Sequence, residues 1–271
     1  VNIALNGLRG KLSKEIASMR DEMIDVLSYS EHLLDVSEED LTTANISYII
    51  SKTAKMHEMA QKLIENYSTC RIMTYGAVVV LCGPVNSGKS TLFNSLVGSN
   101  RAIVNREPGT TRDLLEAMII IDGVPITLVD TAGLREASND IEIEGVRRAR
   151  DYIKKADLVF VINDITVGIT SMESIDNTLF KDNNIVNIYN KTDLLSQKDI
   201  KKCRSVFKPG LFTSALTGVG LGELKNHIIT ALDLESNTGE NFGITTTRQY
   251  NAILKSDAAM AAVIKIAEQY P

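Results

Sequence analysis

The sequence predicts an α/β unit with a mostly parallel sheet, inserted between two parts of an all-α helical domain. Three observations predict it. From Ala77 onward, short apolar runs alternate with helical patterns, the arrangement that lays helices on both faces of a parallel sheet. On both sides of that region, apolar residues recur at steps of three and four, the helix period. Where the first apolar run meets the first helix pattern stands Gly83-Pro84-Val85-Asn86-Ser87-Gly88-Lys89-Ser90, a fit to G-x-x-x-x-G-K-[ST]. The expected boundaries are residues 1–75 for the first helical part, 76–235 for the α/β unit and 236–271 for the second helical part.

Composition narrows the class. The chain has 271 residues, 44% hydrophobic and 23% charged, as in ordinary globular proteins. The net charge of −5 argues against broad nucleic-acid binding through bulk charge. It does not exclude a local RNA contact. Cys70, Cys82 and Cys203 lack C-x-x-C spacing, which points away from zinc or disulfide frameworks and toward a reducing cytoplasm. No apolar run approaches the ~20 residues of a membrane span, and no leader pattern is visible. With Val1 at one end and a helix-like pattern running to Pro271 at the other, the sequence reads as a piece of a longer chain.

The elements follow in order. Leu8, Leu12, Ile16, Met19, Met23, Val26, Leu27, Leu33 and Leu34 mark a first long helix, about 8–36. Ser37 and Asp40 have capping-box spacing for a second helix, whose broad apolar face runs from Leu41 through Met56 and Met59 to Tyr67. Residues 1–70 are thus expected as an antiparallel hairpin, its methionine stripe serving as core rather than as a cofactor site. Then come strand 77–83, a helix through Val97, a polar loop 99–113 and two strands, 114–122 and 124–130, joined at Asp122-Gly123. Helix 140–156, strand 157–163, helix 171–182, strand 184–190, helix 196–206, strand 211–215 and helix 221–232 complete the unit. A polar linker, 233–243, leads to Thr246 and Gln249, a second capping-box pair, and to a last helix carrying Ile253, Leu254, Met260 and Ile264. That helix is expected to return and pack on the first two.

The motifs carry the chemistry. In the phosphate loop Gly83 and Gly88 allow close backbone approach, the amides of Asn86 to Thr91 and the helix N-terminus favour anions, and Lys89 reaches the β- and γ-phosphates. The Ser90 hydroxyl suits Mg²⁺. Asn190-Lys191-Thr192-Asp193 directly follows a strand. The Asp193 carboxylate can accept two hydrogen bonds from guanine N1–H and the 2-amino group, a pair that adenine does not offer. Asn190 would tie the base site to the phosphate loop, and the amides around Ser214 and Ala215 could reach the guanine carbonyl. Asp130-Thr131-Ala132-Gly133 would hold Mg²⁺ through water at Asp130 and sense the γ-phosphate at the Gly133 amide. In Gly109-Thr110-Thr111-Arg112-Asp113, one threonine would complete the Mg²⁺ shell and let go after hydrolysis. Leu134 stands where Ras-like enzymes place a water-orienting glutamine, so another group must do that work. Arg135, Glu136, Glu142 and Glu144 are the candidates.

Together GPVNSGKSTLFNSLVG, GTTRD, IDGVPITLVDTAGLREAS, NKTD and the flanking helical patterns resemble the MnmE (TrmE) family of tRNA-modification GTPases, over essentially the whole chain. The resemblance implies a Ras-like P-loop GTPase domain inserted in an all-α helical domain. It implies that Asn86 is a potassium ligand and that the loop from Asn105 through Glu107 to Thr110 is the potassium-binding loop, the ion doing the work of an arginine finger. It implies Thr111 on Mg²⁺ and Glu142 orienting the attacking water. It further implies face-to-face G-domain dimerisation, low nucleotide affinity, fast hydrolysis of GTP to GDP, and work with the flavoprotein MnmG on the wobble uridine of tRNA. The family's folate-binding N-terminal domain and its terminal C-x-G-K motif have no counterpart in this sequence, so folate would enter only through a domain not included here. Two other readings remain: an Era- or EngA-type RNA-binding ribosome-assembly GTPase, which carries its RNA-binding domain after the G domain, and a nucleotide-gated module with negligible turnover.

Replacing Glu142 with Ala is expected to leave nucleotide binding intact and to slow single-turnover GTP hydrolysis by roughly 10²–10⁴, the usual worth of a positioned acid or base. Unchanged turnover would move the role to Glu136 or Glu144.

Overall fold

The computed structural model describes residues 10–35, 43–100, 102–103, 115–131, 151–167, 184–207, 209–234 and 243–269. They fall in two compact units, Val1–Thr74 with Asn237–Pro271, and Tyr75–Ser236. Among the described residues no helix is long and apolar enough to cross a membrane.

The helical unit contains α1 (Lys11–Leu34), α2 (Thr43–Glu65), most of α3 (Tyr67–Tyr75) and, from the far end of the chain, the last helix, Thr247–Gln269. Helices α1 and α2 run antiparallel: Glu22 pairs with Lys55 at 3.2 Å, and one turn or two further along α1 the Tyr29 ring meets Tyr48, which lies earlier in α2. The final helix also packs on α2 in antiparallel fashion. His57 Nδ1 lies 2.7 Å from Asp257 Oδ1, and the rings of Tyr67 and Tyr250 stack at 4.4 Å. The methionine stripe is core, as its spacing implies: Met19, Met56 and Met260 are buried with Ala60, Leu63 and Ile244. The capping box of the last helix is formed, with the Gln249 amide donating to Thr246 Oγ1 and Gln249 Oε1 accepting from the Thr246 amide. The Ser37–Asp40 pair lies outside the described residues.

The sequence reading ran the second helix to about residue 70 without a break. The structure interrupts it at Asn66 and carries α3 on to Tyr75. The Asn66 carbonyl still accepts from the Cys70 amide at 3.0 Å, so α3 starts there as from a cap. Asparagine favours that role because its side chain competes with the helical backbone for hydrogen bonds.

In the second unit seven strands form one sheet in the order β2-β3-β4-β1-β5-β6-β7. They are β1 (Ala77–Cys82), β2 (Ala102–Ile103), β3 (Leu115–Ile121), β4 (Val124–Asp130), β5 (Leu158–Asp164), β6 (Asn184–Asn190) and β7 (Gly210–Phe212). All neighbours are parallel except β2–β3 and β3–β4. Central β1 and β5 are almost wholly buried, which is why they read as unbroken apolar runs rather than alternating ones. The β3–β4 turn places both Asp122 (φ 48°) and Gly123 (φ 83°) in the left-handed region, the two-residue geometry whose twist suits a hairpin. Helix α4 (Lys89–Gly98) follows the phosphate loop, α5 (Gln197–Val206) starts from a Ser196 cap accepting from the Asp199 amide, and α6 (Leu221–Ala231) follows β7. The last helix of the chain is α7.

Two strand assignments differ from the sequence reading. The polar loop 99–113 contains the two-residue edge strand β2, paired with Met118 and Ile119 of β3. Strand 211–215 is only Gly210–Phe212: the Thr213 amide still donates to the Tyr189 carbonyl of β6, but the Thr213 carbonyl accepts from the Thr192 amide and the Ser214 amide turns to the Val219 carbonyl, which starts a loop at the site. The helix expected at 140–156 is described only from residue 151, and the one at 171–182 lies outside the described residues.

Met56 is 1% exposed at the centre of the helical core. Met56→Ala is expected to cost about 2–4 kcal/mol through lost burial and an unfilled cavity. The effect should appear as loss of amide protection in α1, α2 and α7 under hydrogen exchange, with β1, β4 and β5 unaffected.

Candidate functional site

Parallel strands end at the same edge of a sheet, and ligands of such folds bind beyond their carboxyl ends. Here β1, β4, β5, β6 and β7 deliver Gly83, Asp130, Asp164, Asn190 and Thr213 to that edge. Register fixes their levels: Leu81 stands beside Asp130, and Asp164 beside Asn190.

The phosphate loop connects β1 to α4. Gly83 has φ 145°, and a Cβ there would lie 2.2 Å from the Ile162 carbonyl oxygen. Lys89 is buried, and its Nζ donates to the carbonyls of Gly83 (3.1 Å) and Pro84 (2.7 Å), so the loop encircles its own ammonium. The Ser87 hydroxyl is buried with no hydrogen-bond partner among the described residues. A hydroxyl in that position costs on the order of 1–3 kcal/mol unless something pairs with it. Asn86 adopts φ 63° and is exposed, Ser90 is half-buried in the first turn of α4, and Thr91 is exposed beside it. Asp130 is fully buried at the end of β4, and the following Thr131 hydroxyl donates to the Leu81 carbonyl at 2.9 Å. Ser90 and Asp130 offer hard oxygen donors of the kind Mg²⁺ takes alongside phosphate oxygens. Among the described residues no group of three or more His, Cys, Asp or Glu could hold a metal by itself.

The base motif follows β6. Asn190 is buried, its Nδ2 donating to the Ser87 carbonyl at 3.0 Å and its Oδ1 accepting from the Ala215 amide at 2.9 Å. One amide side chain therefore ties the phosphate loop to the loop after β7. Ser95 of α4 reaches the same loop, its hydroxyl donating to the Ala215 carbonyl at 2.6 Å. Asp193 is exposed and accepts from the buried Ser214 hydroxyl, which also receives the Thr217 amide. Since Asn190 engages the Ala215 amide, that amide is not freely directed at a ligand in this arrangement. Lys191, at φ 67°, pairs with Asp164 at 2.6 Å. Burial pushes the Asp164 carboxyl up, but hydrogen bonds from Lys191 and Thr166 outweigh it and leave the group below its ordinary value. A carboxyl lowered by folding stabilises the fold above its unfolded value, and that contribution is lost as pH falls through the lowered folded value.

Gly83, Asn86, Ser87, Gly88, Lys89, Ser90, Thr91, Asp130, Asn190, Lys191, Asp193, Ser214 and Ala215 thus all belong to one edge of the sheet. Asn105, Glu107, Thr110, Thr111, Gly133 and Glu142 lie outside the described residues. Sequence reasoning missed Asp164 and Ser95. An acid ending the otherwise apolar run of β5 was the available signal for Asp164; Ser95 gave none, being an ordinary residue in a helical pattern.

The chain is similar in sequence to known GTPases. Residues 78–191 match the family described as 50S ribosome-binding GTPase. The tRNA modification GTPase MnmE of Alkaliphilus metalliredigens is 32% identical over 255 residues, covering 93% of this chain and 55% of that protein. MnmE of Acetivibrio thermocellus is 33% identical over 269 residues, covering 98% of this chain and 58% of that protein. The chain thus spans a little over half the length of the curated relatives it matches. Among solved structures, Aquifex aeolicus Era bound to GDP and aluminium fluoride is 27% identical with a TM-score of 0.45, covering 57% of this chain and 56% of that one.

Gly88 has φ 92°, and a Cβ on it would stand 2.2 Å from Asn190 Nδ2. Gly88→Ala must therefore displace the Asn190 bridge. Affinity for a fluorescent guanine nucleotide is expected to fall by at least about tenfold, since strain and a lost buried hydrogen bond act together. Hydrogen exchange in the helical unit should be unchanged.

Proposed function

The chain belongs to the MnmE family of tRNA modification GTPases, and on that premise we propose that it binds GTP at the carboxyl edge of its sheet and hydrolyses it with potassium stimulation. The observation that carries the reading is the double hydrogen bond of Asn190, which makes the phosphate loop and the base loop one pocket. The loop amides and Lys89 bind and orient the phosphates. The Ser87 hydroxyl, without a partner among the described residues, and the oxygens of Ser90 and Asp130 supply polar partners of the right kind for a phosphate–Mg²⁺ group. Mg²⁺, when bound, neutralises charge that develops on the phosphoryl oxygens. The Asp193 carboxylate, oriented by Ser214, reads guanine by accepting from its N1–H and 2-amino group.

The remaining roles rest on the family. Asn86, Asn105, Glu107 and Thr110 hold K⁺; Thr111 completes the Mg²⁺ shell; the Gly133 amide meets the γ-phosphate; and Glu142 orients the attacking water in place of the glutamine that Leu134 replaces. G domains pair face to face in the GTP state. This cycle serves wobble-uridine modification of tRNA together with the flavoprotein MnmG, in the cytoplasm. The layout of a GTPase domain inserted in an all-α domain fits the two units of the fold.

GTP turnover measured in potassium and in sodium chloride at matched ionic strength, across protein concentrations, tests the proposal. Faster turnover in potassium, rising per molecule with concentration, is the expected result. Equal rates in both salts with no concentration dependence would count against both the ion site and the pairing of G domains.

A further inference from the structure

Asp164 is a charge at the site that none of these roles uses. It ends β5 and stands in register beside Asn190, the residue before Lys191. Its Oδ2 takes the Lys191 ammonium at 2.6 Å. Its Oδ1 accepts from both the amide (2.9 Å) and the hydroxyl (2.6 Å) of Thr166. The Ile165 amide donates to the Asn190 carbonyl at 3.1 Å, so the backbone just past β5 is tied to the start of the base motif. The two paired side chains are only 31% (Lys191) and 15% (Asp164) exposed.

Lys191 holds a left-handed backbone, uncommon for a long side chain. That turn draws the ammonium back toward β5. Lysine is a flexible stem with a strongly hydrated head, and left alone it samples many rotamers. It also stands two residues from Asp193, for which it is a potential counter-ion. An ammonium on Asp193 would compete with a guanine base for the same carboxylate oxygens.

We propose that Asp164 is a positioning residue of the guanine-nucleotide pocket: it pins the Lys191 ammonium, which fixes the lysine stem as an apolar wall for the base and keeps the cation off Asp193. This deepens the GTP-binding reading above and rests on it. The two carboxylates divide the work. Asp164 takes the lysine, and Asp193, held by Ser214, is left for the base. Binding then does not have to order the lysine, and preorganisation of this kind appears as affinity. The competing role for Asp164 is local: its Thr166 bonds close the turn after β5 and need no lysine. The two roles differ in whether Lys191 matters.

The test is a double-mutant cycle on the full chain, with Asp164→Asn, Lys191→Met and both together, read by fluorescent-GDP titration and GTP kinetics. Asp164→Asn is expected to weaken GDP binding by about 5–20-fold, as loss of a charged hydrogen bond would. It should raise KM for GTP to match while moving kcat less than about twofold. With methionine at 191, the same change should alter affinity less than about twofold, because coupled residues lose their effect together. Asp164→Glu should recover most of the loss. An equal loss in both backgrounds would assign Asp164 to the turn alone and overturn the proposal, as would unchanged affinity in Asp164→Asn. Should Asp164→Asn fail to fold by circular dichroism, Asp164→Ser, which keeps a short oxygen acceptor for the Thr166 amide but no charge for Lys191, takes its place in the cycle, and equal losses in both backgrounds again overturn it. A wild-type chain that binds no guanine nucleotide would overturn the functional reading itself, and that result is seen before any substitution is made.

Discussion

The site depends on one side chain, the carboxamide of Asn190. It donates to the Ser87 carbonyl and accepts from the Ala215 amide, and it is buried. Hydrogen bonds shielded from water hold loops more firmly than exposed ones, and an amide can donate and accept at once. No carboxylate could do both. The bridge also explains the glycine at 88: the space a Cβ would fill is already held by the Asn190 amide nitrogen. Ser95 closes a second link from α4 to the Ala215 carbonyl. The phosphate loop, its helix and the base loop thereby form a hydrogen-bonded ring on which any nucleotide reading relies.

The sheet supplies the frame for that ring. Because β1, β4, β5, β6 and β7 run the same way, their ends collect the loop glycines, two aspartates and the base motif on one edge. The core below is apolar, with Val80, Val129, Val159 and Val161 buried together. Most of the buried polar side chains described in this unit, among them Ser87, Lys89, Asp130, Asn190, Thr192 and Ser214, cluster at that edge. Asp164 and Asp193 show how position separates two like residues: one is bound to Lys191 and Thr166, the other is exposed and oriented by Ser214.

The helical unit follows simpler physics. Each of its long helices has one apolar face, and none can cover its own. Helix α2 packs against both α1 and α7, and the methionines of all three helices meet in one cluster. Unbranched methionine side chains fill such irregular junctions well. Aromatic stacking of Tyr67 on Tyr250 and the His57–Asp257 pair then fix the alignment of α7 against the stretch that precedes the sheet.

The sequence by itself determined the types of the described long elements, the parallel core and the placing of the phosphate-loop and N-K-x-D motifs at one edge of the sheet. Those signals are local: a run of valines, a helix period, glycines and a lysine at fixed spacing. It also contained the capping box at Thr246 and the hairpin at Asp122-Gly123, because caps and turns are settled by neighbouring residues. The tertiary structure decided what distant segments do to one another. Whether Asp164 meets Lys191, or Ser95 meets Ala215, follows from sheet order and strand register, which no short pattern encodes. The early end of β7 at Phe212 has the same origin, since the Thr213 carbonyl finds the Thr192 amide and the Ser214 amide finds the Val219 carbonyl in place of the next residues of the ladder.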